Sequence, residues 1–142
     1  MSIKIKIVSV GKTKESWLDE ALREYTKRLS GWAELEFVLV RDDEQLLSTL
    51  EKEKGICICL DPQGQQLASE QFAFFLQKKI EEGGARLSFV IGGPEGLPDK
   101  LRKEYPLLSL SKMTFTHQLA RLTLAEQIYR GYCILNGLPY HK

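Results

Sequence analysis

The chain has 142 residues, a formal net charge of +1, 43% hydrophobic residues and 27% charged residues. That length fits one domain spanning residues 1–142. No apolar run reaches the ~18 residues that a membrane span needs. The alternating start, Met1–Lys6, is typical of a strand rather than a signal peptide. We therefore expect a cytoplasmic protein that is not a generally basic nucleic-acid binder.

Strand and helix patterns alternate along the whole chain. Strand patterns cover residues 3–10, 35–40, 56–60, 87–91 and 107–110. Helical spacing covers residues 17–29, 42–53, 69–80, 98–103 and 118–135, with a tail from 136 to 142. Asp61–Gly64 is predicted to be a turn, and Ser69 is predicted to cap the third helix. This alternation predicts a three-layer α/β fold with a parallel sheet covered on both faces.

The fourth strand pattern stops at Gly92-Gly93-Pro94-Glu95-Gly96. Glycine permits positive φ and lets a ligand approach the bare backbone. Loops at the carboxyl ends of parallel strands are where ligands bind in such sheets. Turns after the third and fifth strands would converge on this loop, which suits an adenine-bearing cofactor held by main-chain groups. The alternative is an ordinary turn, and neither the dinucleotide fingerprint nor the P-loop motif is present.

The three cysteines do not indicate a disulfide framework or a metal site. Cys57 and Cys59 are two apart in a strand, so their side chains share one face and act as small apolar groups. Without a cysteine or histidine at ligand spacing, we expect no metal.

Three charged residues of the last predicted helix are candidates for chemistry. His117 and Arg121 are four apart and share a face, so one can accept a proton while the other binds phosphate. The alternative is a capping histidine and a surface arginine. Arg130 follows Glu126 by four residues, which favours a helical ion pair. Arg121 and Arg130 are nine apart and point to opposite sides, a difficulty that a site shared by two subunits would remove.

The tail, residues 137–142, ends in Tyr140, His141 and Lys142, which is unusual because termini are mostly polar and disordered. Tyr140 is suited to stacking on an RNA base. The alternative is a tail that packs on its own domain.

Several segments together resemble one known family. They are Val8–Lys12, Leu60-Asp61-x-x-Gly64, Ile91–Gly96, Leu108–Phe115, His117–Arg121, Glu126–Arg130 and Tyr140–Lys142. In this order they span the chain and are similar to the bacterial ribosomal RNA large-subunit methyltransferase H family of the SPOUT superfamily. The resemblance implies an α/β-knot fold whose C-terminal third forms a trefoil knot.

The resemblance also implies an activity and its partners. The cofactor would be S-adenosyl-L-methionine, and the reaction methylation at N3 of a pseudouridine in 23S ribosomal RNA, within the large subunit or whole ribosome. The enzyme would be a homodimer with a site built from both subunits, without metal or membrane. Two other functions stay open: a SPOUT methyltransferase acting on transfer RNA, and a non-catalytic ribosome-binding or assembly factor.

Site residues follow from the matching motifs and from the charges discussed above. The expected cofactor-binding residues are Leu60, Gly92, Gly93, Gly96, Leu110, Ser111, Lys112, Met113, Thr114 and Phe115. The expected catalytic residues are Arg130 and His141. The expected RNA-binding residues are His117, Arg121, Tyr140 and Lys142.

The chain departs from the family pattern in three places. It is shorter than most relatives between Val40 and Glu51, which puts any RNA contact from that region in doubt. Thr116 replaces a common proline before the last helix. The chain ends in Lys142 where some relatives have arginine, and lysine cannot make the same bidentate contact with phosphate.

Overall fold

The computed structural model describes residues 2–140 as five strands and five helices that alternate along the chain. The strands are β1 (Lys4–Val10), β2 (Glu34–Val40), β3 (Ile56–Gln66), β4 (Arg86–Ile91) and β5 (Leu107–Ser109). The helices are α1 (Ser16–Leu29), α2 (Asp43–Glu51), α3 (Ser69–Glu82), α4 (Asp99–Glu104) and α5 (His117–Leu135). Apart from the end of β3, every boundary lies within two residues of the predicted one.

The strands form one sheet in the order β2-β1-β4-β3-β5, and every neighbouring pair is parallel. Ile7 in β1 pairs with Phe37 on one side and with Phe89 on the other. Because all pairs are parallel, the carboxyl ends of all five strands lie at the same edge of the sheet. The predicted parallel α/β fold is confirmed.

Each face of the sheet has its own hydrophobic core. Along β1, Ile5 and Ile7 belong to the core under α1, α3 and α5, whereas Val8 and Val10 belong to the core under α2 and α4. Successive strand residues point to opposite faces, so a strand buried on both sides has a nearly continuous apolar sequence. The helices on the two faces complete the three predicted layers.

Cys57 and Cys59 are both buried in the second of these cores. Burial raises the pKa of Cys59 to about 12, so its thiol stays protonated and apolar at neutral pH. Within residues 2–140 no three potential metal-ligating side chains come together. The predicted packing role of the cysteine pair agrees with this arrangement.

The predicted end of β3 is wrong. Residues 61–64 do not end the strand, because the chain bulges after Leu60 and Gln65 and Gln66 return to pair with β5. A Cβ on Gly64 would lie 2.6 Å from the backbone carbon of Leu107, so only glycine allows this close approach. Long-range pairing with β5 therefore overrides the local turn signal.

The predicted cap of α3 is also wrong. Ala68 occupies the N-cap position, and its backbone N–H donates to the side chain of Gln71. The Ser69 hydroxyl instead donates to Gln127 of α5 at 2.8 Å. Ser69 is therefore the first residue of α3 and ties it to α5, but it does not cap the helix.

None of the helices described between residues 2 and 140 combines the length and apolar character needed to cross a bilayer.

Candidate functional site

The bulge of β3, residues 61–64, and the loop after β4 meet at the carboxyl edge of the sheet. Arg102 of α4 links them, because its Nε lies 3.0 Å from the buried Asp61 carboxylate and a terminal nitrogen of its guanidinium lies beside Gly96. The second Asp61 oxygen accepts from the backbone N–H of Gln63 at 2.8 Å. This ion pair fixes the position of two candidate cofactor loops relative to each other.

The glycine loop after β4 folds tightly on itself. Gly93 and Gly96 form an antiparallel bridge, and Gly96 has a φ of +85°. A Cβ on Gly92 would lie 2.6 Å from the backbone carbon and oxygen of Gly96, and one on Gly93 would lie 3.2 Å from Val10. Gly92 is therefore needed for the close approach of backbone to backbone, and Gly96 for its positive φ.

The third loop, residues 110–116, follows β5 at the same edge. The backbone N–H of Met113 donates to the Ser111 hydroxyl, and the backbone oxygen of Ser111 accepts from the Ser109 hydroxyl. The Met113 side chain is 75% exposed and that of Phe115 is 38% exposed. Large apolar side chains left this open beside a polar main chain are typical of a ligand-binding surface.

These three loops fit an adenosine-containing cofactor. Leu60 and Leu110 are half-buried against the first core, and the exposed Met113 and Phe115 add apolar surface for a flat base. Turns rich in glycine offer main-chain donors and acceptors without obstructing side chains. The predicted residues Lys112 and Thr114 lie exposed on the third loop.

The first turn of α5 contacts the loop after β1. The imidazole of His117 lies so close to Gly11 that a Cβ there would be 2.6 Å from Nε2. The Gln118 side chain accepts from the backbone N–H of Lys14 at 3.1 Å. Burial lowers the pKa of His117 below its usual value, and the charges of Arg121 and Lys14 lower it further. His117 is therefore mostly neutral at pH 7.

Arg121 is completely buried, contrary to the prediction that it contacts RNA. Its guanidinium donates to the hydroxyls of Ser9 and Thr13 at 2.8 and 3.0 Å, and to the backbone oxygens of Val10 and Gly11 at 3.3 and 3.0 Å. No carboxylate in residues 2–140 forms an ion pair with it, and burial lowers its pKa to about 10. Arg121 therefore holds the β1–α1 loop. The surface-arginine alternative is equally wrong.

The last turns of α5 contain the predicted ion pair. A terminal nitrogen of Arg130 lies 2.6 Å from the Glu126 carboxylate, and Nε lies 3.1 Å from the same oxygen. The Arg130 guanidinium also lies over the ring of Tyr140, 5.0 Å from its centre. The tail thus packs on its own chain as far as Tyr140, whereas His141 and Lys142 lie outside the described residues.

The two ends of α5 are far apart. His117 and Arg130 are separated by thirteen helical positions, which corresponds to roughly 20 Å along the axis. The third loop precedes the first end, and Tyr140 packs near the second. Two residues beyond Tyr140 extend at most about 7 Å. Within one chain, the candidate cofactor loops and the candidate RNA-binding tail therefore lie at separate places.

Sequence reasoning missed the residues that hold the tail. Tyr25 of α1 and Tyr129 of α5 contact Tyr140. The helical spacing of Leu22, Tyr25 and Leu29 predicts that they share one face of α1, but it does not identify the element that this face contacts. Two cavities, of about 220 and 500 Å³, lie away from the carboxyl-edge loops, beside Lys4 and beside Trp32 respectively.

Comparisons with known proteins find relatives over nearly the full length of the chain. A protein from Protochlamydia amoebophila named Ribosomal RNA large subunit methyltransferase H is 52% identical over 140 residues, which cover 99% of each chain. A protein of the same name from Caldicellulosiruptor saccharolyticus is 40% identical over 154 residues and covers 97% of this chain and 99% of its own.

Solved structures show the same fold at low sequence identity. A probable methylase family protein from Haemophilus influenzae is 12% identical with a TM-score of 0.59, over 97% of this chain and 70% of its own. The SpoU methyltransferase AviRb from Streptomyces viridochromogenes, solved in complex with AdoMet, is 11% identical with a TM-score of 0.56, over 93% and 59%.

The family described as "Predicted SPOUT methyltransferase" matches residues 3–141, nearly the whole sequence. The resemblance stated from the motifs is confirmed, and the chain belongs to the SPOUT methyltransferase family.

Proposed function

We propose that the protein transfers a methyl group from S-adenosyl-L-methionine to N3 of a pseudouridine in 23S ribosomal RNA of the large ribosomal subunit. The observation that supports this most is the 52% identity, over 99% of the chain, to a protein named for large-subunit ribosomal RNA methylation. The pseudouridine and its N3 atom come from the resemblance of the motifs.

The donor side of the site consists of the three carboxyl-edge loops. Leu60, Met113 and Phe115 would enclose the adenosine with apolar surface, and Gly92, Gly93 and Gly96 would leave main-chain groups accessible. The cofactor supplies an electrophilic methyl group on a positively charged sulfur. The residues of this chain bind and orient it, and orientation contributes up to about 7–11 kcal/mol in ideal cases.

The acceptor side consists of the end of α5 and the tail. N3 would take the methyl group as the cofactor's carbon–sulfur bond breaks, and the N3 proton would leave before or during transfer. The Arg130 guanidinium, oriented by Glu126, would stabilise the negative charge that develops on the base. His141 would accept the proton, Tyr140 would stack on a base, and Lys142 would meet phosphate. His117 would meet a phosphate at the other end of α5, beside the donor loops.

The distance between the two sides supports a homodimer. Roughly 20 Å of helix separate them in one chain, whereas the reacting atoms must approach to about 3–3.5 Å. A second copy that presents its tail to the first copy's loops would bring both sides together. We propose that the single domain with its knotted C-terminal third works as such a dimer, in the cytoplasm where ribosomes lie.

The test is a methyl-transfer assay with labelled S-adenosylmethionine and three separate substrates: large subunits, whole ribosomes and bulk transfer RNA. We expect label in 23S RNA, and mass spectrometry of digested RNA would show a methylated pseudouridine. The Arg130→Ala variant should leave the RNA unlabelled. Label confined to transfer RNA would favour the transfer-RNA enzyme, and cofactor binding without transfer to any RNA would favour an assembly factor.

A further inference from the structure

The chain reverses direction directly after α5. Gly137 has a φ of +69°, its N–H donates to Ile134, and the N–H of Leu138 donates to Cys133 at 2.8 Å. This pair of bonds is a Schellman motif, which satisfies the last carbonyls of a helix and turns the chain back. The tail is therefore directed back along α5 towards the turn that contains Tyr129 and Arg130.

An aromatic cluster receives the tail. The ring of Tyr140 lies edge-on to that of Tyr129, with centres 4.7 Å apart. Tyr129 in turn lies 5.9 Å from the ring of Tyr25 in α1. The hydroxyls of Tyr25 and Tyr140 lie 3.4 Å apart, within hydrogen-bond distance. Tyr140 is thus held by a residue from a different helix, 115 positions earlier in the chain.

Two arginines flank these three rings. The Arg28 guanidinium lies 5.8 Å from the centre of the Tyr25 ring and 5.7 Å from that of Tyr129. Arg130 lies over Tyr140. Each arginine is oriented by a carboxylate four residues earlier, Glu24 for Arg28 and Glu126 for Arg130. Cation–aromatic contacts of this kind fix the positions of the rings.

We infer that Tyr25 is a positioning residue for the methyl transfer, because it holds Tyr140 against the end of α5. The inference rests on the proposed function, in which Tyr140 stacks on an RNA base. Tyr25 itself touches neither cofactor nor base and acts only through Tyr140. Loss of Tyr25 should therefore release the tail and lower turnover without changing the affinity for S-adenosylmethionine.

The first test measures the tail directly and needs no RNA. Timed digestion of the full chain with carboxypeptidase Y, followed by mass spectrometry, gives the rate at which Tyr140 is released. We expect Tyr25→Ala to release it roughly three- to tenfold faster than the unchanged protein, as for loss of one aromatic pair. Tyr25→Phe keeps the ring and should show a smaller increase.

The matched control is Tyr105→Phe. Tyr105 packs against the other core, under α2 and α4, so removing its hydroxyl should leave the release rate unchanged. A Tyr25→Ala release rate equal to that of the unchanged protein would overturn the inference. If Tyr25→Ala does not fold, Tyr25→Leu keeps apolar bulk without the ring and provides the same comparison.

The second test is a double-mutant cycle with Tyr25→Ala and Tyr140→Ala, measured as turnover on ribosomal RNA. We expect each single variant to lose roughly tenfold in kcat, with the KM for S-adenosylmethionine unchanged. The double variant should lose no more than Tyr140→Ala alone, because both act through one contact. Additive losses, or a change in that KM, would show that Tyr25 acts in another way.

Failure of the proposed function has a different signature. In that case the unchanged protein methylates no RNA, but the digestion rates still show whether Tyr25 holds the tail. If the unchanged protein methylates ribosomal RNA and the Tyr25→Ala variant has the same turnover, the proposed function stands and the positioning role of Tyr25 is overturned.

Discussion

The two ends of helix α5 place the same residue type in opposite surroundings. Arg121, near the start, is fully buried and donates to two hydroxyls and two backbone oxygens. Arg130, near the end, pairs with a carboxylate on its own helix and lies over the aromatic ring of the tail. The comparison teaches that an arginine's surroundings, rather than its charge, decide whether it holds a buried loop or lies against the tail at a helix end.

The largest expected effect concerns function at the second end. Arg130→Ala should lower turnover by roughly 10²–10³-fold, because a positioned cation stabilises charge that develops on the base. The free energy of unfolding should fall by less than about 1 kcal/mol, since helical ion pairs contribute little. Methyl-transfer kinetics, urea unfolding and calorimetry with S-adenosylmethionine measure the three quantities.

The control for this variant is Arg23→Ala. Arg23 forms the same type of pair with Asp19 on α1, but it does not contact the tail. Equal losses of turnover and cofactor affinity in Arg130→Ala would contradict the assignment of Arg130 to the RNA side.

The next effect concerns stability at the first end. Arg121→Met should lower the free energy of unfolding by about 3 kcal/mol, because four buried acceptors lose a charged donor. Thermal and urea unfolding measure the change. A stable Arg121→Met protein with selectively weakened RNA binding would reverse our conclusion that this arginine is structural.

A smaller effect is expected at the glycine loop beside the first end. Gly92→Ala places a methyl group 2.6 Å from the Gly96 backbone, so the loop must shift. We expect a loss of about 1–3 kcal/mol in stability and a weakened affinity for S-adenosylmethionine in calorimetry. Gly31→Ala is the control, since a Cβ there meets nothing within 4 Å. Unchanged affinity in Gly92→Ala would separate this loop from the cofactor.

The smallest effect is a pH dependence. Burial, followed by the charges of Arg121 and Lys14, lowers the pKa of His117 from its model-peptide value of 6.5. Between the lowered and the ordinary value the unfolded chain binds more protons, so stability is lost as pH falls from 7 towards 5. His117→Gln should show a shallower decrease in melting temperature over that range. An identical decrease in both proteins would mean that His117 titrates normally.

Much of the fold could be predicted because it depends on local patterns. The sequence pattern of β1 follows from the burial of the strand on both faces of the sheet. The helical spacing of α1 follows from the burial of one face of the helix. The end of β3 could not be predicted, since Gln65 and Gln66 pair with a strand that lies about forty residues further along. The propensity for a turn depends on neighbouring residues in the sequence, whereas pairing with β5 depends on the tertiary fold.

The candidate site was predictable to a similar degree. The convergence of the carboxyl-edge loops follows from parallel strand order, which the alternation of elements indicates. The burial of Arg121 does not follow from sequence, because helical spacing gives direction but not the identity of the facing element. The return of the tail was partly visible in Asn136-Gly137, a pair typical of a helix end, but its contact with Tyr25 depends on how α1 packs against α5.

The length of α5 has a genetic consequence. If donor loops and acceptor tail come from different copies, two inactive chains with different defects can restore activity when mixed. A dimer of one chain with a damaged glycine loop and one chain with a truncated tail contains one fully intact reaction centre. Random pairing would recover about a quarter of the normal centres. With such mutual rescue, natural selection would act on the activity of the mixed dimer rather than on each chain separately.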